Sequence, residues 1–272
     1  KKLETTINDY GPDIVSDFVV DFMERNHEEP FFIYYPMLLV HSPFQPTPDS
    51  PDWADLSTRT EKDNKYFKDM VEYSDKIVGK IAEKLKELDL LENTILIFTG
   101  DNGTNKALVS QTINGTYRGG KGNLQDNGTH VPLIIHWPAG KQKNLKTSEL
   151  VEFSDFLPTF ADAAKVETPD KVDGRSFFPL IANKEYQERE SVFVHYNPNP
   201  QKVSDRSGCF ARNQEFKLYA DGKFYDMIAD KWEKKPLDIK NLDSAQKKTF
   251  VMLKNELDSK KIWDFSIPYR IK

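Results

Sequence analysis

Between residues 63 and 99 an amphipathic stretch runs directly into a β-branched one, and that succession narrows the possible folds more than any other feature of the chain. Tyr66, Met70, Tyr73, Ile77, Ile81, Leu85 and Leu88 recur every three or four residues, the spacing of a single apolar helical face. "NTILIFT", 93–99, then has the composition of a strand. Upstream, "FFIYYPMLLV", 31–40, does not alternate with polar residues and predicts a fully buried strand that fades near Pro36. Strand, helix and strand in that order predict a right-handed parallel crossover. "VPLIIHWP", 131–138, supplies a third strand whose proline sits at the start, where a missing backbone donor is tolerated. The spacing also predicts helices over 12–26 and 154–164, the second opened by a Ser154 cap.

After about residue 185 the character changes. "SVFVHY", "GCFARNQ", "FKLYAD" and "KFYDMI" are short aromatic strands, and "DSAQKKTFVMLKNELDSKK" is a closing helix. The expected fold class is therefore α/β: a parallel sheet with flanking helices over 1–185, then a small antiparallel sheet with a C-terminal helix over 186–272.

Composition removes several function classes. A net charge of -5, with no basic stripe interleaved with aromatics, argues against nucleic acid as a partner. No apolar run approaches the roughly 18 residues of a membrane span. The only cysteine, Cys209, rules out an internal disulfide and a zinc-cysteine site, and reads as a buried bystander. The chain opens "KKLETTINDY", with neither an initiator Met nor an apolar signal segment, which reads as an internal piece of something longer.

In open parallel sheets, ligands collect at the carboxyl ends of strands. His41 follows the first predicted strand, and Asp101 and Asn102 follow the second. In "IFTGDNGT", 97–104, Asp-Asn-Gly reads either as a tight turn or as a pair of hard oxygen ligands for Ca²⁺ or Mg²⁺. Two oxygens are too few for such an ion, so further ligands must come from elsewhere. Lys121 lies in "YRGGKGNLQDNGTHVP", where Gly119, Gly120 and Gly122 let the backbone approach an anion and the ammonium offers a compact charge. His130 lies near this candidate anion site, and His195 could reach it from the small sheet. His27 and His136 read as surface or packing residues, Arg118 as a solvated loop charge, and Glu72, Glu83 and Glu87 as the wet side of the long helix.

Taken together, "PFFIYYPMLLVHSPFQP" (30–46), "YSDKIVGKIAEKLKELDLLENTILIFTGDNG" (73–103) and "YRGGKGNLQDNGTHVPLIIHWPAG" (117–140) resemble, in order and spacing, the sulfatase family of the alkaline phosphatase-like fold. "DFLPTFADAA" and "DGRSFFPLI" also match. The resemblance implies a sulfuric ester hydrolase acting on an aryl sulfate or a sulfated carbohydrate. It implies that Asp101 and Asn102 are two ligands of a divalent metal, usually Ca²⁺ with Mg²⁺ possible, and that Lys121 and His41 contact the sulfate ester, His41 protonating the leaving alcohol. It also implies a periplasmic or extracellular location.

The departure from the family matters as much. No Cys/Ser-x-Pro-x-Arg motif, the formylglycine precursor, occurs here, and neither does an Asp-Asp pair. The resemblance therefore implies the C-terminal portion of a sulfatase, expected to be inactive alone, with the nucleophile and the remaining metal ligands in a missing N-terminal half. "QDNGTHVP" departs from the family's acidic-Gly-Gly pattern and leaves the subfamily open. A phosphoesterase or phosphonate hydrolase of the same fold, and a non-catalytic anion- or glycan-binding protein, are the alternative readings. Asn-Gly-Thr sequons occur at Asn102, Asn114 and Asn127, and a metal-binding Asn102 leaves its sequon unused.

Overall fold

The computed structural model describes residues 4–113, 115–140, 144–198 and 206–260. In chain order the elements are α1 (Gly11–Arg25), α2 (Phe67–Glu87), β1 (Leu96–Thr99), β2 (Val109–Thr112), β3 (Gly115–Arg118), α3 (Asp126–Thr129), β4 (Leu133–His136), α4 (Phe156–Ala164), α5 (Phe178–Ile181), β5 (Val192–Tyr196), β6 (Gly208–Arg212), β7 (Phe216–Tyr219), β8 (Phe224–Asp226) and α6 (Ser244–Ser259). They form two compact units. The first is Lys1–Thr99 with Leu133–Ala139, and the second is Gly100–Pro132 with Gly140–Lys272. No described helix is long and apolar enough to cross a membrane.

In the first unit, Pro12 stands in the opening turn of α1, where its missing donor costs nothing. Val19 and Met23 of α1 share a core with Tyr73, Ile77, Ile81 and Leu85 of α2. Each such buried side chain stabilises the unit by about 1.5–3 kcal/mol. Tyr73 donates its hydroxyl to the Asp13 carboxylate at 2.8 Å, which fixes how the helices cross. Glu72, Glu83 and Glu87 face water as expected.

The strand expected over 31–40 joins no ladder among the described residues. Its side chains alternate instead. Phe31, Ile33, Tyr35, Met37 and Leu39 pack on the helical core, whereas Phe32, Tyr34 and Leu38 are 66–80% exposed. The expected parallel crossover is likewise replaced: β1 pairs with β4 antiparallel, Leu96 opposite His136 and Thr99 opposite Leu133. A parallel sheet needs cover on both faces. Here α1 and α2 cover one face, and Phe98 and Ile134 add to the apolar surface left exposed in this unit.

The second unit is built on the four-stranded antiparallel order β5-β6-β7-β8. Strand alternation gives this sheet two distinct faces. Cys209, Ala211, Leu218 and Phe224 pack with Leu253 and Leu257 of α6, which Asp243 opens through a capping box with Gln246. The other face carries Tyr196, Phe210, Arg212, Lys217 and Tyr219. The predicted small antiparallel sheet and closing helix are thus present. The 100–132 segment belongs with them, so the units divide the chain elsewhere than at residue 185.

Ser154 is not the cap of α4. Glu152 and Asp155 form the capping box of the 3-10 turn Phe153–Asp155 that leads into α4, and Ser154 only donates to Glu152 at 2.9 Å. Asp155, 2% exposed, also accepts from the Arg175 backbone N–H at 2.7 Å and pairs with Arg189. That carboxylate ties "FSDFLPTF" to "DGRSFF".

Candidate functional site

Asp101 and Asn102 follow the last residue of β1 by one glycine. The Asp101 carboxylate is exposed and enters no ion pair among the described residues. Asn102 is half-buried, and its Nδ2 donates to the Gly103 carbonyl at 3.3 Å, which leaves its Oδ1 as an acceptor. The two side chains therefore present hard oxygens. No group of three or more His, Cys, Asp or Glu among the described residues could hold a metal. The donor set fits part of a Ca²⁺ or Mg²⁺ shell, short of the six to eight oxygens that Ca²⁺ takes.

Backbone hydrogen bonds lace this loop to the one carrying Lys121. Gly103 N–H donates to Gly128 at 3.0 Å, and Lys121 N–H donates to Thr104 at 2.9 Å. Gly119 N–H donates to Leu108 at 3.0 Å. Glycine is required at these crossings, since a Cβ at Gly119 would stand 2.1 Å from the Asn105 carbonyl oxygen. Asn127, 8% exposed, braces the turn from within by donating to the Arg118 carbonyl at 3.2 Å. Its sequon is therefore closed to a glycan in the fold, while Asn114 lies outside the described residues.

The lysine loop in turn sits on the polar-faced side of the small sheet. Lys217, fully buried, donates from Nζ to the Leu124 carbonyl at 2.6 Å and to Glu233 at 2.8 Å. Its ammonium stands 3.9 Å from the Phe210 ring centroid, a cation–π contact. Burial holds this ammonium below its ordinary pKa, and Glu233 acts in the opposite sense. Tyr219 donates to the same Glu233, and its phenol is pushed up first by burial and then by that hydrogen bond. Asp126, at the start of α3, pairs with Arg212 and lies 3.6 Å from Lys217.

These groups escaped the sequence reading. The signal that could have found them is a lysine in mid-strand, between Phe216 and Leu218, where burial demands a partner.

His41 belongs to the first unit and is exposed. Its Nδ1 stands 2.6 Å from the Ser42 carbonyl, which can only accept, so in the neutral ring the proton is on Nδ1 and Nε2 is the acceptor. His195 lies opposite Cys209 in the β5–β6 ladder, on the α6 side of the sheet. The sequence reading had His195 reaching the anion site from the small sheet. Strand alternation instead gives that position to Tyr196, whose hydroxyl would stand 3.5 Å from a Cβ at Gly122. Burial lowers the His195 pKa. His130 is exposed beyond α3. Cys209 is 1% exposed, and burial pushes its thiol up, so it is the inert bystander expected.

Fold and loops define an α/β protein with hard oxygens and a lysine on two interlaced glycine-rich loops. Comparison with known proteins makes this specific. The sulfatase profile matches residues 2–166, and the profile of the N-sulphoglucosamine sulphohydrolase C-terminal region matches residues 120–262. The chain belongs to the sulfatase family. It is 33% identical over 183 residues to human steryl-sulfatase, covering 64% of this chain and 30% of that protein. It is 33% identical over 199 residues to an N-acetylgalactosamine-6-O-sulfatase of Bacteroides thetaiotaomicron, covering 69% of this chain and 37% of that one. The crystal structure of Ps i-CgsB superposes with a TM-score of 0.73 at 25% identity, covering 95% of this chain and 56% of that chain. The chain thus spans about a third of the length of these curated relatives.

Proposed function

We propose that this chain is the C-terminal portion of a sulfuric ester hydrolase acting on a sulfated carbohydrate or an aryl sulfate. The carrying observation is the interlaced pair of loops: Thr104 bonded to Lys121 and Gly103 bonded to Gly128, which holds the Asp101–Asn102 oxygens and the lysine in one backbone framework. Within the sulfatase family this gathers anion-binding and metal-binding chemistry in one place. Lys121 offsets charge on the sulfuryl oxygens as it grows toward the transition state. His41, its Nδ1–H held by the Ser42 carbonyl, serves through Nε2 as the acid for the departing alkoxide when the ring is cationic. Asp101 and Asn102 would hold a Ca²⁺, with Mg²⁺ the other hard cation they suit, and such an ion would supply Lewis-acid charge at the ester.

The formylglycine nucleophile and the remaining metal ligands belong, in this reading, to a preceding half of the same protein. That half covers the apolar surface formed by Phe32, Tyr34, Leu38, Phe98 and Ile134, which sits too exposed for a finished core. The proposed location is the periplasm or the extracellular space. The test is hydrolysis by the full-length protein of matched aryl sulfate, phosphate and phosphonate esters. Sulfate should be turned over fastest. If sulfate is the poorest substrate the chain serves phosphoryl chemistry, and binding of a sulfated saccharide without any turnover would leave it a lectin-like protein.

A further inference from the structure

A cleft of about 520 Å³ opens in the second unit beside the lysine loop. Lys106, Arg118 and Lys234 line it together with Trp232, Thr116 and Asn123, and no carboxylate does. In a chain of net charge -5, three cations facing one cavity without an acid among them is an anion-attracting arrangement. None of the three enters an ion pair among the described residues, in contrast to Arg212 and Lys217 close by. Their charges are therefore available to a ligand.

The wall is firm. Arg118 ends β3, paired with Val109 in the hairpin, and its carbonyl is held by the buried Asn127. Trp232 packs against Tyr117, ring centroids 5.3 Å apart, carries the Lys231 ammonium 5.4 Å from its ring centroid, and its carbonyl accepts from Gln125 at 3.0 Å. An indole beside a forked guanidinium offers an apolar face for a sugar ring and a bidentate site for an oxyanion. Gly119 also lines the cleft and stands two residues from Lys121, so their Cα atoms are at most about 7.6 Å apart.

We infer that the Lys106–Arg118–Lys234 cleft is a second anion subsite, holding a sulfate or carboxylate on the non-reacting part of a saccharide whose reacting ester lies at Lys121. This rests on the sulfate-ester reading above and narrows the substrate to carbohydrates carrying at least two anionic groups. Arg118, expected from the sequence to be a solvated loop charge, becomes a specificity-determining residue.

Steady-state kinetics of the full-length protein test it with four substrates: an aryl monosulfate, a monosulfated disaccharide, the same disaccharide with a second sulfate, and one with a carboxylate in its place. Arg118→Ala/Lys234→Ala should raise KM for the doubly anionic sugars at least tenfold, flatten their salt dependence, and leave kcat and both monosulfate substrates unchanged. The larger rise of the two identifies sulfate or carboxylate as the group held. An unchanged KM for both doubly anionic sugars overturns the subsite, and so does an equal rise for all four substrates. Should Arg118→Ala unfold the protein, Lys106→Glu/Lys234→Glu replaces it, both lysines being exposed. Absence of turnover of all four sulfate esters by the unmodified protein would refute the proposed function rather than the cleft. Calorimetric binding of the disulfated disaccharide then decides, with loss in the double variant supporting the subsite and equal binding overturning it.

Discussion

Gly103 and Asn127 meet backbone to backbone: a Cβ on Gly103 would stand 1.9 Å from the Asn127 carbonyl oxygen. The glycine of Asp-Asn-Gly thus answers a close approach between two loops, and its backbone lies outside the left-handed region that a hairpin turn of this sequence would need. Gly103→Ala must push the Asp101–Asn102 loop away from α3, at a cost of about 1–3 kcal/mol. Gly79→Ala is the contrast, because a Cβ there meets nothing within 4 Å in α2. It should stabilise by about 0.5–1 kcal/mol. Thermal melts of the two variants should move in opposite directions.

Asp155 and Arg189 form the most deeply buried ion pair of the α4 region, their side chains 2% and 9% exposed. Removing one partner leaves the other charge without compensation. Arg189→Met should destabilise by about 3–5 kcal/mol. Asp155→Asn should cost less than Asp155→Ala, since its single amide oxygen still accepts from one of the two backbone donors, Arg175 or Glu152, that the carboxylate serves with separate oxygens. Urea unfolding of the three variants ranks these costs, and an Arg189→Met midpoint equal to the parent's would show that the pair contributes no net stability.

The Tyr219 phenol, raised by burial and by its bond to Glu233, predicts a pH dependence with a definite sign. Its folded pKa lies above the unfolded value near 10, so above pH 10 the folded state holds a proton that the unfolded state has lost. The stabilisation is complete below pH 10 and declines as pH rises beyond it. Tyr219→Phe cannot titrate. The stability gap between parent and variant should therefore narrow by up to about 1.4 kcal/mol per pH unit above pH 10. Chemical denaturation at pH 8, 10 and 11 checks this, and a gap constant with pH would mean that neither burial nor Glu233 holds the phenol protonated.

Which parts of this were legible in the sequence follows from range. Periodicity is local, so the apolar stripe from Tyr66 to Leu88, the strands "TILIFT" and "PLIIHW", and the closing helix could be read directly. Pairing partners are not local. "FFIYYPMLLV" has the composition of a two-sided buried strand, yet only Phe31, Ile33, Tyr35, Met37 and Leu39 find cover. The β2–β3 hairpin was invisible because "LVSQTINGTYR" is polar on both faces, with Val109 and Tyr117 exposed. Asp101, Asn102 and Lys121 were legible as residue types in glycine-rich loops. The Lys217–Glu233–Tyr219 brace was not, because it joins residues 14–16 apart to a loop more than ninety positions away.

Asp101 carries the last prediction. Its carboxylate is exposed and has no ion-pair partner among the described residues, so in the absence of a cation it contributes little to stability and its removal should be nearly neutral. If it ligates Ca²⁺ in the full-length protein, binding to the folded state alone adds RT ln(1 + [Ca²⁺]/Kd), about 2.7 kcal/mol at a hundredfold excess over Kd. A chelator should then lower the parent melting temperature, with Ca²⁺ restoring it and Mg²⁺ restoring it less. Asp101→Ala should melt near the chelated parent and respond to neither addition. Asn102→Ala should show the same insensitivity, whereas Asn102→Asp, which keeps the oxygen and adds charge, should retain a Ca²⁺ response. A parent melt indifferent to chelator, with Asp101→Ala unchanged, would return the Asp-Asn-Gly sequence to a loop whose glycine serves packing against Asn127 and nothing more.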